Sequence, residues 1–261
     1  MKSLKFVGGV LLLGLAAQPA LADQSCYGLP RYNTLKAALD NAVSAEESGL
    51  NLQMWATIVN RDGVVCTVAF SGDDRGAQWP GSRVISAQKA NTANAFSLDA
   101  SSASGNDSGA PNGLALSSAN LYSAVQPGGS LFGLQESNPV DTSVAYGGRA
   151  EFFGTGNDPM VGRRIGGVNV FGGGLALYRS GARIFGGLGL SGDTSCADHR
   201  IAWRVRNNLG LDHLLGVGGV SGDPDRSDNI IYLAAGEAPN GFKHPDCGGG
   251  DDPSDLPAVS P

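Results

Sequence analysis

Apolar and polar positions follow two periods along this chain, and the switches between them lay out most of its elements. In 33–48, Leu35, Ala38, Leu39, Ala42 and Val43 fall at i, i+3, i+4, i+7 and i+8, one stripe of an amphipathic helix. Asn33 or Thr34 can cap its start and Gly49 can end it. The runs 52–59 and 64–70 read as strands, and Asn60-Arg61-Asp62-Gly63 between them carries the Asp-Gly signal of a hairpin. A second helix is predicted over 82–98, with Ile85, Thr92 and Phe96 sharing one face with Lys89. A charged side chain inside an apolar stripe is costly unless it is paired or reaches a site.

Residues 99–113 are rich in Ser, Gly, Asn and Asp and predict a loop. Little periodicity follows as far as 166, apart from one short helix expected near 116–125, so an irregular insertion is expected over about 99–166. An excursion of that size in a compact domain is usually functional or oligomeric. Regular patterning returns at 174–179 and 184–190, two strands around Ser180-Gly181. Ser195 then opens a third helix, with Asp198 three residues on as a capping box, and Gly210 ends it. Residues 229–234 read as a last short strand, and the Gly/Asp/Pro/Ser-rich stretch 248–261 as a disordered tail. The order is helix, hairpin, helix, excursion, hairpin, helix. It predicts a single α+β domain over 23–247, an antiparallel sheet built from two hairpins and covered by three main helices.

The first residues change the picture of where the chain works. Lys2 and Lys5, the apolar run 6–17 and Ala20-Leu21-Ala22 form the three parts of a cleavable signal peptide over 1–22. The run is too short to span a bilayer as an anchor, and no later stretch is long or apolar enough to cross one. A periplasmic or secreted protein is expected, with no membrane association after cleavage. The balance of 18 Lys+Arg against 24 Asp+Glu, with no basic run, argues against nucleic acid as a partner. The 40 glycines have no collagen period and cluster in the second half, where tight turns and close backbone approach account for them.

Four cysteines, Cys26, Cys66, Cys196 and Cys247, in an oxidising compartment favour two disulfides, with three possible connectivities. Cys196 opens a helix and Cys247 ends a segment with few other anchors, so Cys196–Cys247 is expected, and Cys26–Cys66 by exclusion. Their dispersal argues against a zinc site, and Cys196-Ala-Asp-His199 is not the CxxCH of covalent haem attachment.

Three motifs carry a family resemblance. Ser86-Ala87-Gln88-Lys89-Ala90-Asn91-Thr92-Ala93 resembles the S-x-x-K-A-x-T-A helix of the GlcG/HbpS-like haem-binding proteins. Gly173-Gly174-Leu175-Ala176-Leu177 and Ile184-Phe185-Gly186-Gly187-Leu188-Gly189-Leu190-Ser191-Gly192 are similar to that family's G-G-x-P-I and G-x-I-G-V-S-G hairpin, with Leu175 in place of its usual proline. Asp198 and Ala202 fit the D-x-x-x-A start of its last helix. The resemblance covers roughly 33–210, interrupted by the excursion. It implies a profilin-like fold, frequent homo-oligomers, and haem or a related small ligand.

Candidate ligand-binding residues follow. Ala197, Ile201, Ala202, Val205 and Leu209 form the core stripe of the third helix, whereas His199, Trp203 and Arg206 share another side. The trio offers an imidazole for iron, an aromatic wall and a guanidinium for a propionate. Its plainer reading is a subunit interface, or stacking of His and Arg on Trp. An oxygen ligand from Tyr122, Tyr146 or a threonine is the alternative to His199. Lys89 reaches either an anionic ligand or strand carbonyls at the end of the sheet. His213 and His244 lie in loop-like sequence and read as solvent-exposed.

The glycine clusters at 172–174 and 186–189 lack the βαβ setting of a dinucleotide site. Asp223, Asp225 and Asp228 lack the glycine and distant glutamate of an EF-hand and read as a solvated acidic loop. No nucleophile motif stands out. The function expected is an exported carrier, buffer or sensor for haem or a related tetrapyrrole. The alternatives are a haem-free accessory to an exported dehydrogenase or sensor kinase, or an enzyme on a small organic acid or on haem.

Overall fold

The computed structural model describes residues 26–99, 112–249 and 252–261. The expected signal peptide and most of the 99–113 loop lie outside the described residues. Helix α1 spans Tyr32–Ser44 and leads to strands β1 (Trp55–Asn60) and β2 (Val65–Phe70). The Asp-Gly turn between these strands is held by the Asn60 side chain, whose Oδ1 accepts from the N–H groups of Asp62 and Val64 at 3.0 and 2.9 Å. Helix α2 covers Ser82–Phe96, strands β3 and β4 cover Gly174–Arg179 and Arg183–Ser191, and helix α3 covers Ser195–Asn208.

The four strands form one antiparallel sheet in the order β2-β1-β4-β3, so the two hairpins pair through β1 and β4. The fold is α+β. Side chains alternate across β1. Ala56 and Ile58 join α1, α3 and Leu188 and Leu190 of β4 in one core. Trp55 and Val59 face Val84, Ala87 and Ala90 of α2 in another. With helices on both faces, almost every strand residue is buried. That explains why the strands read as near-continuous apolar runs.

The β4 glycines set the depth at which α2 lies on the sheet. A Cβ on Gly189 would stand 2.0 Å from the Ser86 carbonyl oxygen and 2.4 Å from the Ala90 nitrogen, and one on Gly187 would stand 2.2 Å from the Ala90 oxygen. The Ser86-to-Ala93 helix and the glycine strand are therefore two halves of one close helix–strand contact.

Neither outer edge of the sheet is open along its whole length. At β2, Gly162 N–H donates to the Val65 oxygen and Val65 N–H donates to the Arg163 oxygen, both at 2.8 Å. At β3, Tyr178 N–H donates to the Leu211 oxygen at 2.8 Å, and the Tyr178 oxygen accepts from His213 N–H at 3.3 Å.

The insertion contains two 3-10 turns, Ser118–Leu121 and Ser123–Val125, where one short helix is expected, and a single helical turn at Thr142–Ala145. It is fastened to α2 by Arg83, whose guanidinium pairs with Asp158 and donates to the Ala145 oxygen at 2.8 Å.

Several expectations are corrected. The cap of α3 is Thr194, which accepts from Ala197 N–H at 3.3 Å, rather than Ser195 paired with Asp198. Residues 229–234 form no strand, and Tyr232 stands in an isolated bridge to His244. The segment 252–261 is not a disordered tail. Leu256 and Val259 are buried in the core, and Arg200 pairs with Asp255 at 2.7 Å. Residues 250 and 251 lie outside the described residues. Cys26 is bonded to Cys66 and Cys196 to Cys247.

Candidate functional site

The trio on α3 is brought together, but inside the protein. His199, Trp203 and Arg206 are each buried to within 1% of full burial. Arg206 lies 4.5 Å from the Trp203 ring centroid, and the His199 and Trp203 rings are 6.0 Å apart. Each has an internal partner. Arg206 forms a two-pronged pair with Asp228 at 2.6 and 3.0 Å. Trp203 Nε1 donates to the Pro257 oxygen at 2.9 Å. His199 Nε2 lies 3.2 Å from Asn229 Oδ1 and 3.2 Å from the Ile230 nitrogen. The stacking reading describes this geometry, whereas an open ligand wall or a subunit interface would need an exposed face. The segments 228–230 and 253–257 cover that face. Asp228 is thus not part of a solvated acidic loop.

Lys89 satisfies a sheet-end carbonyl and meets an acid as well. Its Nζ donates to the Leu190 oxygen at 3.0 Å and to Asp198 Oδ2 at 2.6 Å, both inside the protein. The pair sits beyond the sheet end, where β4 finishes and β3 begins. Gly173 makes that meeting possible. Its φ is +111°, and a Cβ there would stand 2.5 Å from the Leu190 oxygen and 3.3 Å from Lys89 Nζ. Burial lowers the Lys89 pKa, against the pull of Asp198. Burial also pushes the Asp198 pKa up to about 6, with Lys89 opposing the rise. Asp198 Oδ1 accepts from Asp193 N–H at 2.9 Å, which fixes the carboxylate.

Above this pair lies a cleft of about 360 Å³. Ile85, Lys89 and Asp198 line it, with Trp79 and Phe171 exposed at 52% and 47%. Ser195 and Cys247 complete one side. The cleft combines two accessible aromatic rings with a buried charge pair, the mix of apolar wall and few polar groups typical of small-ligand sites. Its described lining holds no histidine, tyrosine or methionine, and its cysteine is bonded to Cys196. It therefore suits the organic part of a flat, carboxylate-bearing ligand and supplies no iron ligand of those kinds.

The other candidates lie elsewhere. Tyr146 is 64% exposed and lines a different cleft with Arg75 and Phe153. Tyr122 lies against His244, ring centroids 5.1 Å apart. His213 is half-buried. His244 is buried, contrary to its loop-like sequence, and touches the Cys196–Cys247 bridge. Burial lowers the pKa of His199 to about 3 and that of His244 to about 4, so both are neutral at ordinary pH. Trp79 and Phe171 carry no periodic signal and are missed by sequence reasoning. The pairing of Lys89 with Asp198 has a signal, since both stand in the recognised motifs.

The chain matches the family described as haem degrading protein HbpS-like over residues 32–207, and it belongs to that family. This is the family indicated by the three motifs. No curated protein matches it. Among solved structures, it is similar to the crystal structure of a PduOC:heme complex at 22% identity, covering 71% of this chain and 92% of that one, with a TM-score of 0.43. It is also similar to Klebsiella pneumoniae protein ORFY at 20% identity, covering 76% of this chain and 97% of that one, with a TM-score of 0.43.

Proposed function

We propose that this chain is an exported binding protein that holds haem or a related tetrapyrrole in the cleft between α2 and the start of α3. The observation that carries the reading is the cleft itself, two exposed aromatic rings above a buried Lys89–Asp198 pair. Membership of a haem-related family supports the ligand class. Two disulfides support an oxidising compartment, and no helix among the described residues is long and apolar enough to cross a membrane. Bound haem would supply an apolar ring and carboxylates. Trp79 and Phe171 would cover the ring, and Lys89 would turn part of its charge from Asp198 to a ligand carboxylate. His199 is left out of this site because Asn229 and Ile230 hold it in the core.

Titration with hemin, followed by its Soret absorbance, tests the reading. Saturable binding is expected, and protoporphyrin lacking iron should bind within about tenfold of hemin, since the described lining of the cleft offers no histidine, tyrosine, methionine or free cysteine to iron. Replacing both Trp79 and Phe171 by Ala should weaken binding at least tenfold, whereas His199→Ala should leave the affinity of folded protein unchanged. Absence of saturable binding of either porphyrin would overturn the proposal.

A further inference from the structure

The disulfide at the start of α3 belongs to a side-chain cluster of which Cys247 alone lines the binding cleft. Cys196 Sγ, Cys247 Sγ and a ring nitrogen of His244 all lie within 4.8 Å of one another. His244 Nδ1 lies 2.7 Å from the Pro245 carbonyl oxygen, which can accept only from an N–H. That contact puts the proton on Nδ1 and the lone pair on Nε2. His244 is 2% exposed, and its Nε2 has no hydrogen-bond partner among the described residues. A metal-binding histidine has the same arrangement, one nitrogen donating to a carbonyl and the other free to ligate.

A second histidine stands near the cluster in sequence but is not one of its members. His199 stands three residues after Cys196 on α3, a spacing that puts both on one side of a helix. Its Nε2 faces Asn229 Oδ1, and its Nδ1 is buried without a hydrogen-bond partner among the described residues. The chain thus presents Cys196-x-x-His199 and His244-x-x-Cys247, with an unpartnered imidazole nitrogen beside each cysteine in sequence.

We propose that reduction of the Cys196–Cys247 disulfide turns this cluster into a site of two thiolates and one imidazole for a borderline-soft cation such as Zn2+. The two thiolates and a His244 ring nitrogen form its nucleus, and solvent takes the fourth position, as at an open zinc site. Sulfur and imidazole donors suit zinc, three of them leaving the fourth tetrahedral position open. The bridge is within reach of a reductant, because Cys247 is only half-buried and lines the cleft. Cys247 Sγ also accepts from Cys196 N–H at 3.3 Å, at the N-terminus of a 14-residue helix, a position that stabilises a thiolate.

The reductant is a dithiol. One of its thiolates attacks Cys247 Sγ, the S–S bond breaks and Cys196 leaves as a thiolate. The second thiol of the reductant then attacks the mixed disulfide and releases the Cys247 thiolate. The dithiol is oxidised to its disulfide, two electrons enter the protein, and its two protons go to solvent as the metal takes both thiolates. Reoxidation by a disulfide, which takes back the two electrons and two protons and leaves as its dithiol, would expel the ion, so the site is a redox-gated metal store beside the cleft.

The test uses the full chain, reduced with a phosphine under nitrogen and titrated with Co2+. One Co2+ per chain is expected, with a thiolate-to-cobalt charge-transfer band that Zn2+ abolishes and that the oxidised protein never shows. Alkylation with mass mapping should find Cys196 and Cys247 protected by Zn2+ while Cys26 and Cys66 react. His244→Ala should weaken Zn2+ binding at least tenfold. The proposal is overturned by no band in the reduced protein, by protection of Cys26 and Cys66 instead, by unchanged affinity in His244→Ala, or by loss of helical circular dichroism on reduction. If His244→Ala does not fold, the alkylation map of the unaltered chain decides.

Discussion

Lys89 Nζ lies 2.6 Å from Asp198 Oδ2, so one buried ion pair joins the middle of α2 to the first turn of α3 around the end of the sheet. The two residues are far apart in sequence and sit on opposite sides of the β4 terminus. Their contact closes the floor of the cleft and locks the two layers together.

Breaking that pair should cost stability in a pH-dependent way. Loss of one partner of a buried pair costs about 3–5 kcal/mol, and an acid able to take up a proton reduces the cost. Lys89→Met is expected to lose about 3 kcal/mol in urea unfolding at pH 7 and less at pH 5. Burial raises the Asp198 pKa from 3.8 to about 6 despite Lys89. Between those values the folded chain holds a proton that the unfolded chain has released. The stability this group contributes is therefore present below pH 3.8 and lost as pH rises through 6. Wild type should lose stability relative to Asp198→Asn across that window. A difference that stays flat with pH would show that the carboxyl titrates normally.

The Arg206–Asp228 pair should prove structural. Both side chains have no exposed surface. Asp228→Asn leaves the guanidinium buried without its counter-charge and should cost about 3–5 kcal/mol, whereas Arg206→Met with Asp228→Leu should recover part of the loss. Porphyrin affinity per folded molecule should not change in either variant. A tenfold drop in affinity would return Arg206 to the ligand.

A single methyl group in β4 should lift α2 from the sheet. The neighbours of a Cβ at Gly189 are backbone atoms at 2.0 and 2.4 Å, which no rotamer change can move. Gly189→Ala should cost about 3 kcal/mol or more, at the upper end of overpacking effects. Gly181→Ala is the comparison, since open space surrounds Gly181 and its φ of +81° is the only source of strain. Equal losses in thermal unfolding would mean that close packing is not the cause at Gly189.

Both hairpins and the three helices that pack on the sheet are legible in the chain because each carries its own period or turn chemistry. The Asp-Gly turn at 62–63 and the stripe from Leu35 to Val43 need no tertiary context. The second side of α3 behaves differently. His199, Trp203 and Arg206 form a polar-aromatic face in sequence, and only the aperiodic segments 228–230 and 253–257 convert it into core. Aperiodic chain gives no sign of what it will cover, so Leu256 and Val259 read as tail. His244 is misread for the same reason. The cleft was half legible. Lys89 and Asp198 stand in recognised motifs, while Trp79 and Phe171 sit in loops whose direction is set by glycines and by the excursion.

The short backbone bonds at 162–163 and 211–213 bear on how copies of this chain can meet. Strand edges with free amides and carbonyls invite another chain to add itself, the usual opening to fibrils and domain exchange. Here Val65 on one flank and Tyr178 on the other already spend their outward groups within the molecule. A sheet continued along the full length of either edge would first have to strip those loops away. Addition of a strand across Val65 or Tyr178 should therefore begin only after the 162–163 or 211–213 segment has peeled off.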